Sequence, residues 1–365
     1  MTATIYSVVN ALVVLLLNLL GPYVPGSGPY GPFVATWLSY LVVGGIVLAF
    51  SMVNVLVFIW WERKLLGRFM DRRGAMHVGY AGLLQNLADG LKLFRKQPFA
   101  PKDADEMGYY FGPTAYLVFS MAILGFLPIS FGVSGGLVPL SLLVALALFS
   151  FAPLFIFIAS WSSNNKYSLI GGMRTAAQLV AYEIPLLLAV VAVVALTGSF
   201  DINTIVGDQA SYGWFALPLL LGLIIFFIAM LAEVERIPFD LPEAEAELVE
   251  GWSTEYGGML FAFTMLGDYV RALIGSYLIV LLFLGGWSMP WGLSNYPLAG
   301  LVFFQVKTYI VFAIFIWVRA SLPRVRTDQL LQIGWKRMLP LAMANIIWAL
   351  ALVVWGYPNI HWPVM

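Results

Sequence analysis

The chain reads AEVERIPFDLPEAEAELVEGWSTEY between residues 232 and 256. This stretch holds eight of the 19 acidic residues of the protein. Apolar runs at residues 213–232 and 258–284 flank it, and each is about long enough for a helix that crosses a bilayer. The sequence therefore predicts an acidic loop between two transmembrane helices. Such a concentration of acids next to a membrane indicates a chemical use for them.

The composition is typical of an integral membrane protein. Of the 365 residues, 61% are hydrophobic and only 10% are charged, whereas ordinary globular domains carry about 25% charged residues. The mean hydropathy is +0.88, and apolar windows of about 20 residues recur along the chain. We therefore predict an all-α polytopic membrane protein whose helices pack against one another in lipid.

Charge and residue usage exclude several other functions. The formal net charge is zero, which gives no indication of nucleic-acid binding. The chain has no cysteine, so it cannot by itself ligate an iron–sulfur cluster, form a disulfide or use a catalytic thiol. The two histidines, His77 and His361, are predicted to lie on opposite sides of the membrane, which argues against a metal site built from histidine.

Eight clear membrane spans are predicted, at residues 34–60, 109–130, 137–160, 172–197, 213–232, 258–284, 298–319 and 339–356. A shorter apolar segment at 4–20 lacks the basic start and the A-x-A site of a signal peptide. We predict that it forms an extra N-terminal helix, with an interfacial helix as the alternative. The expected organisation is an N-terminal extension at 1–33, one membrane domain at 34–356 and a tail at 357–365.

Lysine and arginine predict the orientation. The connections after the first, third, fifth and seventh clear spans carry these residues, whereas the alternate connections and the C-terminal tail carry none. Because basic residues favour the cytoplasmic side, the charged connections are predicted to be cytoplasmic in a multi-pass protein of the plasma or cell inner membrane. Within the first connection, residues 62–73 and 82–97 have the pattern of basic amphipathic helices at the membrane surface.

Four ionisable residues fall inside predicted spans and one lies at the end of a span: Glu183, Asp268, Arg271, Lys307 and Glu233. Each costs about 2.5–3.5 kcal/mol to insert, so such residues usually face a polar path or a partner. Together they indicate a proton relay. A simpler alternative is that Asp268 pairs with Arg271 on its own helix and that Lys307 neutralises a carboxylate on another helix.

The acidic loop has features that a merely solvated loop does not need. Pro238 and Pro242 prevent one continuous helix, so we predict a short helix that starts at 240–242. Glu243, Glu247 and Glu250 would share one face of it. Like charges so close raise some carboxyl pKa values and make the group titrate as a coupled set. The alternative is an acidic loop that only repels anionic lipid.

A second patterned stretch lies at residues 162–185. Arg174, Gln178 and Tyr182 are four apart and therefore share one stripe of a helix. Glu183 faces roughly the other way and lies about 13 Å deeper in the membrane than Arg174, at 1.5 Å per residue. Pro185 is predicted to kink this helix.

Five motifs, in this order, resemble the H subunit of respiratory complex I: ERKLLGRF (62–69), GLLQNLADGLK (82–92), KYSLIGGMRTAAQLVAYE (166–183), RIPFDLPEAEAELVEGWSTEY (236–256) and RASLPRVRTDQLLQIGWK (319–336). The resemblance extends over residues 34–356, and PFDLPEAEAELVEG is its most specific part. The family has eight transmembrane helices, in agreement with the eight clear spans.

The resemblance implies a role in quinone chemistry. In this family a quinone enters from the lipid and is reduced, in a chamber formed in part by this subunit, by an iron–sulfur cluster of a neighbouring subunit. The free energy then drives protons through antiporter-like subunits. The chain would bind no cofactor and have no activity alone. Its partners would be cluster-bearing and quinone-site peripheral subunits, small membrane subunits and the antiporter-like subunits.

The resemblance also assigns residues by position. The quinone chamber and its entrance would include Glu62, Arg63, Asp89 and Arg319. Together with the intramembrane Asp268, proton coupling would involve Glu183, Glu233, Asp240, Glu243, Glu245, Glu247, Glu255 and Lys307. Two further residues would support these groups, Arg174 and Gln178.

The sequence departs from the family pattern at two places. Residues 74–79 read GAMHVG where the family commonly has GPNRVG, so His77 occupies the position of an arginine. Many members also carry a glutamate in the span before the KYS motif. Here no acid lies between Glu106 and Glu183, and Ser150 is found in that place. The proton path is therefore expected to differ at this point.

Two other functions stay open on the sequence. One is the related membrane subunit of an energy-converting hydrogenase, which shares PFD and the acidic loop but uses no quinone. The other is an independent ion transporter, which would be expected to show two similar halves; no such repeat is visible. LPEAE, the TEY at 254–256 and the helix at the chamber entrance that contains Glu62 and Arg63 favour the quinone-binding subunit.

Overall fold

The computed structural model describes residues 31–130, 139–242, 245–288 and 297–356. Within these ranges all eight predicted spans fall on helices, and six helical stretches are long and apolar enough to cross a membrane, with Ser141–Ser162 and Thr327–Val354 each counted as one stretch. The prediction of an all-α polytopic membrane protein is confirmed. The predicted helix at 4–20 and the tail at 357–365 lie outside the described residues.

The described helices run in chain order from α1 to α13. They are α1 Gly31–Phe69, α2 Gln85–Arg95, α3 Glu106–Leu124, α4 Ser141–Phe149, α5 Ala152–Ser162, α6 Lys166–Thr197, α7 Ile202–Tyr212, α8 Leu220–Glu233, α9 Glu245–Leu248, α10 Gly258–Phe283, α11 Pro297–Ser321, α12 Thr327–Gln332 and α13 Leu339–Val354. Two 3₁₀ turns, Tyr80–Gly82 and Gly251–Ser253, and a π-helical stretch, Ile333–Met338, are interspersed. Of the two predicted basic helices, residues 62–69 of the first form the end of α1. Helix α2 lies within the second, at residues 82–97.

Helix α10 forms the centre of the bundle. It packs against α1, α3, α8 and α11, and also against the short helices α2 and α7. Every residue from Tyr269 to Phe283 is buried, as expected for a helix that is apolar on all sides. Arg271 belongs to this segment and therefore needs a partner, because an unpaired charge in such surroundings is costly.

The predicted span at 137–160 is interrupted. Helix α4 ends at Phe149 and α5 begins at Ala152. Pro153 explains the break, since it has no N–H for the Phe149 carbonyl and its ring crowds that oxygen. Pro185 does not interrupt α6, which continues as a helix from Lys166 to Thr197; the kink at Pro185 stays a prediction. The break exposes the hydroxyl-bearing residue Ser150 between two helices.

The acidic loop is packed onto the bundle. Phe239, Leu241, Leu248 and Trp252 are all buried. Gly171 of α6 permits this close approach, because a Cβ at that position would lie 2.7 Å from the backbone nitrogen of Trp252. Within the described residues the loop is α-helical only in α9, so the helix is shorter than predicted. The buried apolar residues exclude a loop that is solvated along its whole length.

Candidate functional site

A buried carboxylate, Glu62, lies where α1, α10 and α11 meet. It is 3% exposed. The guanidinium of Arg319 donates a hydrogen bond to its Oε1 atom, and Nη1 of Arg236 lies 3.4 Å from the same oxygen. Tyr269 lines the same pocket as Glu62, and the Arg236 guanidinium lies 4.4 Å from the centre of the Tyr269 ring. Two cations thus compensate one buried anion, as a buried charge requires.

A polar pocket of 340 Å³ opens beside Glu62. Its lining includes Glu62, Arg63, Tyr269 and Arg319, and its volume is within the range of small-molecule sites. Nη1 of Arg63 donates a 2.8 Å hydrogen bond to Oδ2 of Asp89 on α2. Three of the four residues predicted for the quinone chamber therefore line one pocket, and the fourth contacts one of them.

The Asp89 carboxylate fixes α2 against α1. Its partial burial acts to raise its pKa, but the hydrogen bonds from Arg63 and Gln85 outweigh this and hold the pKa of Asp89 below its usual value. Asn86 reinforces the contact, because its Nδ2 donates a 2.8 Å hydrogen bond to the carbonyl of Leu56. The attachment of α2 to Arg63, which lines the pocket, thus depends on an ionised Asp89.

A second buried ion pair joins α10 to α8. Nη2 of Arg271 lies 3.0 Å from Oε2 of Glu233 and 2.9 Å from its backbone carbonyl oxygen. Arg271 is 1% exposed. The hydroxyl of Tyr116 on α3 donates a 2.6 Å hydrogen bond to Oδ1 of Asp268. The predicted pairing of Asp268 with Arg271 on one helix is therefore wrong as a salt bridge, because Arg271 turns to the neighbouring helix.

The side chain of Glu183, on α6, contacts Ser150 at the break between α4 and α5. The hydroxyl of Ser150 donates a hydrogen bond to Oε1 of Glu183. Glu183 also interacts electrostatically with Glu233, and Asp268 interacts electrostatically with both Arg236 and Arg271. Ionisable groups therefore follow one another from the Glu62 pocket to Ser150.

The acids of the loop have separate partners. Oε2 of Glu247 lies 2.6 Å from Nη1 of Arg174, and the Glu247 side chain is 55% exposed. Oδ2 of Asp240 lies 3.1 Å from Nη2 of Arg324. Burial raises the pKa of Asp240, and the positive charge of Arg324 opposes this shift. A coupled titration of Glu243, Glu247 and Glu250 stays a prediction.

The remaining predicted residues hold the loop in place. Gln178 is buried, and its Nε2 donates hydrogen bonds of 2.7 and 2.8 Å to the carbonyls of Ala232 and Phe239. Asn165 donates a hydrogen bond to Oε1 of Glu255. The described parts of the structure do not include residue Glu243 or the side chain of Glu245.

Lys307 lies apart from these carboxylates. Its Nζ donates to the backbone carbonyls of Leu284, Gly286 and Ser288 at 2.6, 3.0 and 3.3 Å. These carbonyls follow the end of α10, where a cation is favoured by the helix dipole. The salt bridges of the described residues do not include Lys307, so the predicted bridge to a carboxylate is wrong and carbonyl oxygens take its place.

Three residues of the site were not predicted: Arg236, Tyr269 and Tyr116. Arg236 is the one cation within the acidic stretch, and Tyr269 directly follows Asp268, so both offered a signal. Tyr116 offered none, because nothing in the sequence of α3 places it beside α10.

Comparison with known proteins matches residues 42–350 to the family described as NADH dehydrogenase. A protein of Dehalococcoides mccartyi strain CBDB1, named as the H subunit of NADH-quinone oxidoreductase, is 43% identical over 311 residues, which are 85% of this chain and 86% of the relative. Proteins with the same name from Carboxydothermus hydrogenoformans and Bacillus cytotoxicus are 40% and 41% identical, over 85% and 86% of this chain and 87% and 94% of the relatives.

Proposed function

This chain belongs to the NADH dehydrogenase family, and from that premise we propose that its polar pocket at Glu62 forms one wall of a quinone-reduction chamber. The chain is a membrane subunit of a proton-translocating quinone oxidoreductase of the complex I type and has no activity alone. The names of its relatives favour this function over that of a hydrogenase without quinone. The observation that carries the proposal is the convergence of Glu62, Arg63 and Arg319 on one pocket.

The pocket suits the chemistry of quinone reduction. A quinone accepts two electrons and two protons, and its carbonyl oxygens become hydroxyls. Negative charge develops on those oxygens, and fixed donors in a site shielded from water stabilise such charge best. Arg63, Arg319 and the hydroxyl of Tyr269 are donors in the lining. In this proposal the electrons come from an iron–sulfur cluster of a neighbouring peripheral subunit; this chain has no cysteine to ligate such a cluster.

The coupling path leads away from this pocket. A charge that appears beside Glu62 changes the electrostatic interaction of Glu62 with Arg319 and Arg236. Arg236 in turn interacts electrostatically with Asp268. Asp268 also interacts with Arg271, which forms a salt bridge with Glu233. A change of charge at Asp268 therefore alters the electrostatics of Glu233, which interacts with Glu183. The Ser150 hydroxyl then supplies a hydrogen bond to Glu183 at the place where many members of the family carry a carboxylic acid.

The remaining loop acids complete this scheme. The acids of the loop take part as proton acceptors near the peripheral subunits; they are Asp240, Glu243, Glu245, Glu247 and Glu255. Arg174 and Gln178 hold the loop in place. Lys307 lies beyond the opposite end of α10 and forms the far end of the relay. The acidic loop faces the cytoplasm, where the peripheral subunits bind. Small membrane subunits and antiporter-like subunits receive the coupling within the bilayer.

The test replaces Arg63 with Ala in the assembled complex. Loss of one charged hydrogen bond of about 1.5–3 kcal/mol lowers quinone reductase activity about 10- to 150-fold. The donor still reduces the upstream clusters, because they lie before the altered step. Arg326→Ala is the matched control, since Arg326 forms an exposed pair with Asp328 at 3.6 Å. Normal quinone turnover in Arg63→Ala would refute the assignment of this pocket.

A further inference from the structure

A large apolar groove lies between α1 and α11. Its volume is 670 Å³, and Trp60, Trp61, Tyr309 and Trp317 are among its lining residues. Trp317 is 61% exposed, so the groove is open to the surroundings of the bundle. Exposed aromatic residues of this kind are typical of the membrane–water boundary.

The groove is separate from the Glu62 pocket. Val57 and Trp61 line the groove, whereas Glu62 and Leu66 line the pocket. At about 100° per residue, these two pairs lie on faces of α1 that differ by about 140°. Arg319 lies two residues after Trp317, and thus on the other side of α11. The proposed quinone chamber therefore does not account for this groove.

Two cations continue the groove stripe on α1. Lys64 and Arg68 follow Val57 by seven and eleven residues, so they lie on the same helical face. Arg68 is in the last turn of α1 and is exposed. Nζ of Lys64 lies 3.4 Å from Sδ of Met76. Neither cation takes part in a salt bridge among the described residues.

We propose that the groove binds an anionic phospholipid, with an acyl chain between α1 and α11 and the phosphate at Lys64 and Arg68. The apolar lining matches the chain, and the two cations match a headgroup with net negative charge. A quinone ring carries no charge to pair with them, and a choline headgroup brings a cation of its own. Charge complementarity therefore favours an anionic lipid over both.

The experiment uses the purified complex with photoreactive phosphatidylglycerol or phosphatidylcholine, each with a diazirine in the acyl chain. Labelled peptides of α1 and α11 are then quantified by mass spectrometry. We expect phosphatidylglycerol to label the groove at lower concentration than phosphatidylcholine does. The double variant Lys64→Gln/Arg68→Gln should weaken this labelling about 30-fold, equivalent to about 2 kcal/mol at about 1 kcal/mol per cation.

Two further variants keep the result interpretable. Ala313→Phe fills the groove but keeps both cations, so labelling by either lipid should fall. Lys336→Gln/Arg337→Gln removes two exposed charges from a stretch that packs against α6, α12 and α13, and labelling should not change. If the double variant does not assemble, Ala313→Phe alone decides whether the label depends on the groove.

Four outcomes would overturn the proposal. Equal labelling by the two lipids would show a general boundary lipid. If neither lipid labels the groove peptides, a partner subunit covers the groove. If a short-chain quinone displaces the lipid label, the groove belongs to the quinone path. Unchanged labelling in Ala313→Phe would place the lipid elsewhere. None of these outcomes bears on Arg63→Ala, so this proposal and the quinone chamber fail independently.

Discussion

Replacing Glu233 with Gln tests how the buried arginine of α10 is compensated. The change removes the negative charge 3.0 Å from Nη2 of Arg271, a side chain that is 1% exposed. The 2.9 Å hydrogen bond to the Glu233 backbone carbonyl remains. Asp268, which interacts electrostatically with Arg271, remains as well.

The expected cost follows from these contacts. Removing one partner of a buried ion pair costs about 3–5 kcal/mol, because the other charge stays buried. Two compensating groups remain around Arg271, so we expect the lower end, about 3 kcal/mol. Adding Asp268→Asn should cost about 0.5–3 kcal/mol beyond the sum of the single changes, since both carboxylates act on the same guanidinium.

The assay is the thermal release of this chain from the purified complex. For Glu233→Gln we expect the apparent melting temperature to fall by at least about 5 °C. The matched variant Glu233→Met/Arg271→Met should recover most of this loss, because an apolar pair of similar size avoids the buried charge. It should still pump fewer protons per electron. A shift below about 1 °C for Glu233→Gln would show that Asp268, and not Glu233, compensates Arg271.

Three further changes test the other parts of the site. Ser150→Ala removes the donor to Glu183 and should lower the protons pumped per electron, with recovery in Ser150→Thr; an unchanged ratio would make the hydroxyl structural. Since the pKa of Asp89 is lowered from 3.8, its stabilising effect is present above that pH and is lost as the pH falls through the lower folded value. The protection of α2 amides, measured relative to the intrinsic exchange rate at each pH, should therefore fall below about pH 3.8 and respond less to acid in Asp89→Asn. Lys307→Met leaves three carbonyls without their donor and should lower stability by about 1–3 kcal/mol and reduce pumping per electron, while quinone reductase activity persists; normal pumping would remove Lys307 from the relay.

The sequence by itself determined the class of fold and the place of the chemistry. Apolar length predicts a membrane helix directly, because a bilayer has a fixed thickness. The eight spans could therefore be located without a structure, and the 232–256 stretch identified the family. The helix break at Ser150 could have been predicted from Pro153. It was not, because residues 137–160 are almost entirely apolar and were therefore interpreted as one span.

Only the tertiary structure decided which charges meet. Asp268 and Arg271 are three residues apart, yet the salt bridge of Arg271 is with Glu233, 38 residues away. Glu62 is paired with Arg319 across 257 residues, and Lys307 binds carbonyls instead of a carboxylate. The physical reason is that periodicity shows which residues share a helical face. The rotation and neighbours of that face are set by packing against other helices, and no local pattern records them.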